Sequence, residues 1–314
     1  MATSEPARGV RAAESSDGRV AVIAHSAGQT NGAIVDAWNA LGLDAALLTP
    51  AAAVAELGRG DAALFRLDVL PSLAEFEAGL VTVPALRLAG VRILNSPWSL
   101  IGTHDKLETA RRLQSSGLPH PRTTQVRHAD DPIDILPPVV VKPRFGSWGT
   151  DVFLCETESS LRSCLHTIAS RAWFESGGAL VQELVPLQRR DLRLLVAGGT
   201  VVGCVERTAA PGEWRTNVSL GGTRTPVAPD AEARALALAG ARVAGADLVG
   251  VDLLRTPDGT FSVLELNGAV DFDATYALPG EDVYARIAIA LDLIPPTPRT
   301  PRKDRRAPAT AAAP

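Results

Sequence analysis

Three side chains within residues 249–267, VGVDLLRTPDGTFSVLELN, are of the types that hold a hard cation. Two apolar runs are joined there by Thr256-Pro257-Asp258-Gly259, a turn composition, so the segment reads as a β-hairpin. If Arg255 and Thr260 flank a four-residue loop, Asp252 falls opposite Val263. Side-chain alternation then puts Asp252, Glu265 and Asn267 on one face. Two carboxylates a diagonal strand pair apart, with an amide beside them, suit Mg²⁺ shared with substrate phosphates rather than a closed protein cage. The hairpin alone also allows a plainer reading, a pair of solvated acids on an exposed strand face.

The cations point the same way. Of 31 Lys and Arg residues only three are Lys: Lys106, Lys142 and Lys303. Where Arg is the default cation, a lysine inside a structured pattern marks a place for a compact point charge, as against phosphate. Lys142 ends the apolar run Val139-Val140-Val141 and precedes Arg144-Phe145-Gly146-Ser147-Trp148-Gly149. Gly146 and Gly149 permit positive φ and let backbone N–H groups around Ser147 approach an anion, while a turn around a buried Trp148 would have the same composition. Residues 25–32, HSAGQTNG, lack the G-x-G-x-x-G spacing of a dinucleotide loop.

These residues need elements to position them. Apolar runs at 19–24, 43–48, 62–65 and 92–94, with a helical pattern at 32–43, give the strand and helix alternation of a small parallel α/β domain. After Asn95-Ser96-Pro97 the spacing predicts one helix over 98–117, closed by Gly117, then a stiff connection at Pro119 and Pro121. Further strands are predicted at 139–143 and 180–185. A pair at 191–196 and 201–206 turns at 197–200, with Arg207 extending its second strand, and helices follow at 232–245 and 281–291. The overall class is α/β, passing to α+β in the C-terminal part. Expected boundaries are a loose tail at 1–18, an α/β domain at 19–97, a central domain at 98–180, a C-terminal domain at 181–294, and a basic Pro-rich tail at 295–314.

Composition narrows the function. A chain of 314 residues with 46% hydrophobic and 21% charged residues can bury two or three cores. A net charge of −4 disfavours nucleic acid, and no apolar run reaches transmembrane length, so neither nucleic acid nor membrane is expected as a partner. Cys155, Cys164 and Cys204 have no C-x-x-C spacing, which fits a reducing compartment; the cytoplasm is expected.

The order VVVKPRFGSWG, LVQE, DLRLLV, EWRTNVSLGG, GVDLL and LELN resembles the RimK/LysX-type ATP-grasp ligases over about residues 20–293, and the GSWG and EWRTN segments look closest to the LysX-like branch. That resemblance implies an ATP-grasp fold with a small parallel pre-domain and ATP between the central and C-terminal parts. It assigns Lys106 and Lys142 to phosphate, Glu183 and Leu184 to adenine and Asp191 to ribose. Arg215 and Asn217 fall beside the γ-phosphate, and Asp252, Glu265 and Asn267 become ligands for Mg²⁺, two ions or Mn²⁺ in their place.

The implied reaction is amide formation through an acyl phosphate, with Arg215 and Lys142 catalytic. Its implied partners are ATP, an amino acid and a small acidic carrier protein with a C-terminal glutamate, and a homo-oligomer is expected. Arg193 and Arg207 are candidate clamps for a substrate carboxylate, and Asp271, in GAVDFD, resembles part of the LysX-like acidic-aromatic pair. Arg66-Leu67-Asp68 lie in a region that shapes substrate choice. Two other readings stay open: a free-standing ligase of small amino acids, and a nucleotide-binding protein without catalysis.

Overall fold

A computed structural model of the chain describes residues 18–67, 78–186 and 188–295. Apart from Gly18 and Pro295, both tails lie outside the described residues, and so does Asp68. The N-terminal alternation forms as expected. Strands β1 (Val20–Ile23), β2 (Ala45–Leu48), β3 (Ala62–Phe65) and β4 (Arg92–Leu94) make a parallel sheet of order β2-β1-β3-β4. Helices α1 (Gln29–Ala40), α2 (Pro50–Glu56) and α3 (Val83–Leu88) connect them. On α1, Ile34 and Trp38 lie one turn apart and are fully buried, which fixes the face the helix turns to the sheet.

The single helix expected over 98–117 forms as two: α4 (Pro97–His104) and α5 (Lys106–Ser115). Asp105 between them is extended, and its carboxylate accepts from the N–H groups of Leu107 and Glu108 at 3.1 and 3.3 Å. A capping aspartate thus starts a new helix with Lys106 as its first residue. Gly117, at φ 69°, lies just beyond α5, as expected.

The second sheet comprises β5 (Thr123–Val126), β6 (Val139–Pro143), β7 (Phe153–Cys155) and β8 (Ala179–Glu183), antiparallel in the order β5-β8-β6-β7. Helix α6 (Glu158–Ile168) buries Leu161, Leu165 and Ile168 against it, and α7 (Ala172–Gly177) adds Phe174. Strand β8 belongs wholly to this sheet and straddles the boundary drawn at 180.

The third sheet is β9 (Arg190–Ala197), β10 (Thr200–Thr208), β11 (Thr223–Pro226), β12 (Leu248–Arg255) and β13 (Phe261–Asn267), antiparallel in the order β11-β10-β9-β12-β13. Helix α8 (Ala231–Ala244) lays Ala233, Ala237, Ala241 and Ala244 on one face, over Leu194, Val196, Val251 and Leu253. Small side chains every third or fourth residue let it approach closely. The other face joins Leu195 and Leu248 to Val22 of β1 and Trp38 of α1 and to Ile287 and Leu291, at and just past α9 (Val283–Ala290), in one core.

The hairpin of β12 and β13 departs from the expected register. Arg255 pairs with Phe261, and a bulge between Asp252 and Leu253 leaves Leu264 unpaired, so Asp252 lies directly opposite Glu265 instead of Val263. Each irregularity slips the pairing by one residue. Together they slip it by two, which keeps Asp252, Glu265 and Asn267 on one face.

Asn95 ties the first sheet to the third. Fully buried at φ 56°, it donates from Nδ2 to the carbonyls of Leu248 at 2.9 Å and Gly268 at 3.2 Å, and accepts at Oδ1 from the N–H groups of Asp247 and Leu248, both at 2.9 Å. All four sites of its amide are satisfied. Asn95→Ala orphans buried backbone groups on both segments and is expected to cost about 2–3 kcal/mol, read as a lower urea midpoint at unchanged m-value.

Candidate active site

A cleft of about 870 Å³ runs between the second and third sheets and reaches the first. It is lined by Lys106, Lys142, Gly146, Ser147, Gly149, Glu183, Leu184, Asp191, Arg193, Arg207, Arg215, Asn217, Glu265, Asn267 and Asp271. One residue expected among them, Asp252, does not line it.

The two lysines arrive from different elements and are tied together by backbone. Arg144, just past β6, grips Asp105 with Nε to Oδ1 at 2.8 Å and Nη2 to Oδ2 at 2.5 Å, and its carbonyl accepts from the N–H of Lys106 at 3.1 Å. Lys106 in turn donates from Nζ to the Gly146 carbonyl at 2.5 Å and meets Glu265 Oε1 at 3.0 Å. Lys142 is buried, and its Nζ donates to Gln182 Oε1 at 2.8 Å. Burial pushes its pKa down to about 8; the Glu265 carboxylate opposes that shift and the Lys106 charge adds to it. A buried ammonium in a cleft is poised for an anionic ligand.

Behind these groups the third sheet carries a row of charges on one face. Asp191 and Arg193, two residues apart on β9, stand opposite Arg207 on β10 and Asp252 on β12 respectively. Arg193 Nε and Nη2 donate to the two Asp252 oxygens, both at 2.6 Å. Arg207 donates from Nε and Nη2 to Asp191 at 2.7 and 2.5 Å, and from Nη2 to Asp252 at 2.9 Å. Thr216 donates to Asp191 at 2.6 Å.

The guanidinium forks expected to clamp a substrate carboxylate are therefore turned onto the protein's own acids. Asp191, expected beside a ribose, is the buried partner of Arg207. Burial pushes the Asp252 carboxyl up, but Arg193 and Arg207 outweigh it and hold the pKa at about 2. Asp252, 2% exposed, stands behind the cleft, and as placed it is closed to a metal by its two arginines.

Glu265 and Asn267 do fit a cation. Both line the cleft, and the amide nitrogen of Asn267 is buried without a partner. Since amide O and N positions interchange by a flip, an oxygen donor can occupy that place. Among the described residues no three His, Cys, Asp or Glu side chains converge, so phosphate oxygens would have to complete the coordination. Asp252 would join only by giving up a guanidinium.

Arg215 is held by Glu213, which accepts its Nε at 3.0 Å and Nη2 at 2.8 Å, while Nη1 donates to the Gly149 carbonyl at 2.8 Å. The hydrogen bond from Arg215 holds the Glu213 carboxyl at about 2. Sequence reasoning missed Glu213, although an acid two residues before the candidate arginine was the available signal. Glu183 and Leu184 end β8 at the far side of the cleft. Their backbone N–H groups donate to Arg122 at 2.8 Å and Pro138 at 3.3 Å, so an adenine would meet the Glu183 carbonyl or displace the longer Leu184 bond.

The RimK-like ATP-grasp domain family matches residues 103–291. A probable alpha-L-glutamate ligase of Aeromonas salmonicida (strain A449) is 32% identical over 221 residues, covering 68% of this chain and 72% of that protein. The crystal structure of a RimK domain ATP-grasp protein from Sphaerobacter thermophilus DSM 20745 is similar with a TM-score of 0.61 at 23% identity, covering 87% of this chain and 99% of that one. A D-cycloserine synthetase structure is similar with a TM-score of 0.66 at 20% identity, covering 87% and 98%. No helix among the described residues is long and apolar enough to cross a membrane.

Removing Asp252 should strand the half-buried Arg193 guanidinium and take from buried Arg207 one of its three carboxylate contacts. Asp252→Ala is expected to cost about 3–5 kcal/mol in denaturant unfolding, far more than an exposed acid would. The native carboxyl, at about 2, lies below its ordinary value of 3.8. The stability it contributes is therefore complete above about pH 4 and is lost as pH falls to about 2. That acid-limb slope should flatten in Asp252→Asn, measured by urea unfolding at several pH values.

Proposed function

The chain belongs to the RimK-like ATP-grasp family of carboxylate–amine ligases, and on that premise we propose that it joins an amino acid to the C-terminal glutamate of a carrier protein or peptide through an acyl phosphate. What carries the reading is the meeting in one cleft of Lys106, Lys142, Arg215, Glu265 and Asn267, brought from four separate segments of the chain. That is a set for holding a polyphosphate and the charge that migrates on it. The name of the Aeromonas salmonicida relative, a probable alpha-L-glutamate ligase, supports glutamate as one reactant. The LysX-like resemblance of the GSWG and EWRTN segments supports a carrier as its bearer.

In this reading a substrate carboxylate oxygen attacks the γ-phosphorus of ATP and ADP leaves. The amine of the second substrate attacks the acyl carbon, and phosphate departs as the amide forms. Lys142 and Lys106 hold the phosphate chain from two sides. Arg215, aimed by Glu213 and Gly149, faces the transferred phosphoryl group and then the oxyanion; preorganised donors at such a place stabilise charge as it develops. Glu265 and Asn267 hold Mg²⁺, which when bound neutralises phosphate charge. Glu183 and Leu184 take the adenine.

The far end of the cleft suits an amino acid. Buried Arg66 lies there, donating from Nε to Asn31 Oδ1 at 2.7 Å and from Nη2 to the Val270 carbonyl at 2.8 Å, and Asp271 accepts from Thr30 at 3.1 Å, so both signs of charge line the place proposed for a zwitterion.

Phosphate release from ATP and Mg²⁺, measured across a panel of amino acids with and without a glutamate-ended acidic carrier, tests the proposal. Release that depends on an amino acid and on the carrier is expected. Release with amino acids alone would move the reading to a free-standing ligase. Lys142→Met should weaken ATP binding about tenfold or more by calorimetry while remaining folded. Arg215→Ala should keep ATP affinity within severalfold and lower turnover by about 10²–10³; wild-type turnover would remove Arg215 from the reaction.

A further inference from the structure

The phosphate-facing lysine of β6 is connected to the opposite sheet by a chain of hydrogen bonds that neither the sequence motifs nor the reaction scheme uses. Gln182 on the central strand β8 is 3% exposed and stands directly across from Thr123 on β5. Its Oε1 accepts from Lys142 Nζ at 2.8 Å, and its Nε2 donates to Thr123 Oγ1 at 2.8 Å and approaches His120 Nε2 at 3.4 Å. The other ring nitrogen of His120, Nδ1, lies 2.8 Å from the carbonyl of Val263 on β13. The same residue of β13 donates its N–H to the carbonyl of Pro119 at 2.9 Å, so the connection 119–120 is seated on the strand that carries Glu265 two residues later.

The acceptors around this chain fix the orientation of the Gln182 amide. A carbonyl only accepts, so His120 Nδ1 carries the hydrogen and Nε2 of the neutral ring is a lone-pair acceptor. Thr123 Oγ1 has two acceptors in reach of its one hydrogen, the Pro121 carbonyl at 2.9 Å and His120 Nε2 at 3.3 Å, and with the hydrogen on either of them its oxygen is left as an acceptor too. Two acceptors thus face one end of the Gln182 amide and require its nitrogen there. The oxygen is therefore turned to Lys142. With the amide reversed, an NH₂ group would meet the buried ammonium, donor against donor, at a point where desolvation already disfavours the charge. Burial also pushes His120 down to about 4, the Val263 hydrogen bond opposing, so the ring is neutral and accepting at ordinary pH.

We propose that His120, together with Thr123, is a positioning residue that fixes the orientation of Gln182 and through it holds the Lys142 ammonium at the phosphate end of the cleft. The proposal rests on the reading of Lys142 as a phosphate contact. It reaches the nucleotide through phosphate alone, and that separates it from a general loosening of the hinge. Strand β8 ends one residue after Gln182, at Glu183, and leads directly into Leu184, so a distorted strand would disturb adenine and phosphate alike, whereas a misdirected lysine would disturb phosphate only.

The test is calorimetric titration of the full-length protein with ATP in Mg²⁺ and, separately, with adenosine. It uses His120→Leu, which fills the site without an acceptor, His120→Gln, whose amide oxygen can stand where Nε2 stands, and Thr123→Val, which removes the second acceptor. His120→Leu and Thr123→Val are each expected to weaken ATP about tenfold and leave adenosine within twofold, and His120→Gln to recover most of the loss. Equal loss for ATP and adenosine, no loss in either acceptor-free variant, or failure of His120→Gln to recover any of it would overturn the proposal. If His120→Leu does not fold, Thr123→Val alone decides by the same two ligands. Lys142→Met separates the two levels: if it leaves ATP affinity intact, the reading of Lys142 fails; if it weakens ATP while the acceptor-free variants do not, the positioning role alone fails.

Discussion

A largely buried row of two acids and two arginines underlies the cleft. Asp191, Arg193, Arg207 and Asp252 sit on three neighbouring strands at paired positions, and each charge is met by an opposite one at hydrogen-bond distance. None of the four could be buried alone, because an uncompensated ion in the interior costs several kcal/mol; together they are neutral. Their satisfaction fixes the order β10-β9-β12 and, through Asp252, sets where β13 must place Glu265. The groups that face the cleft stand on this internally neutral layer. Outside that layer the charges lining the cleft are Arg66, Lys106, Lys142, Arg189, Arg190, Arg215 and Arg224 against Glu183, Glu265, Asp271 and Asp273, a positive excess suited to a polyphosphate.

The other faces of the same sheet explain why the row stays in register. Alternate residues of β9 and β12 point away from the cleft into the alanine face of α8, so a slip of one residue would bury the charges under that helix and expose leucines. The packing is thus a constraint on the chemistry. The lysines are positioned by a separate device, the grip of Arg144 on Asp105, which joins the end of β6 to the start of α5. One lysine therefore cannot move far without drawing on the segment that carries the other.

Periodicity and turn composition made the parallel sheet, the β9–β10 pair and the hairpin legible in the sequence, because each carries a predominantly apolar run. The residues lining the cleft were legible for a different reason: lysines in an arginine-rich chain and acids in apolar strands violate the local pattern, and such violations cluster at sites. What sequence could not supply was partnership. Nothing in DLRLLV or GVDLL reveals that Arg193 and Asp252 face each other across a strand pair, so both were read as open to ligands when each closes the other. The five-residue turn and the bulge at Leu264 were equally hidden, and they offset each other only because side chains alternate with period two. His120, between two prolines, lies in no periodic run, and Glu213 gained its meaning only from the position of the arginine it aims.

The amide of Asn95 has a consequence for how this protein can be recombined with its relatives. The parallel sheet forms one end of the cleft, so exchanging it is the obvious route to a chimera with altered substrate preference. Yet Asn95 belongs by chain position to that sheet and by bonding to residues 247, 248 and 268. A crossover placed anywhere before it keeps the amide with its own acceptors and donors, whereas one placed after it imports a foreign residue into a four-point socket. The natural seam of the molecule for grafting therefore lies on the β3 side of β4, inside what looks like a contiguous domain.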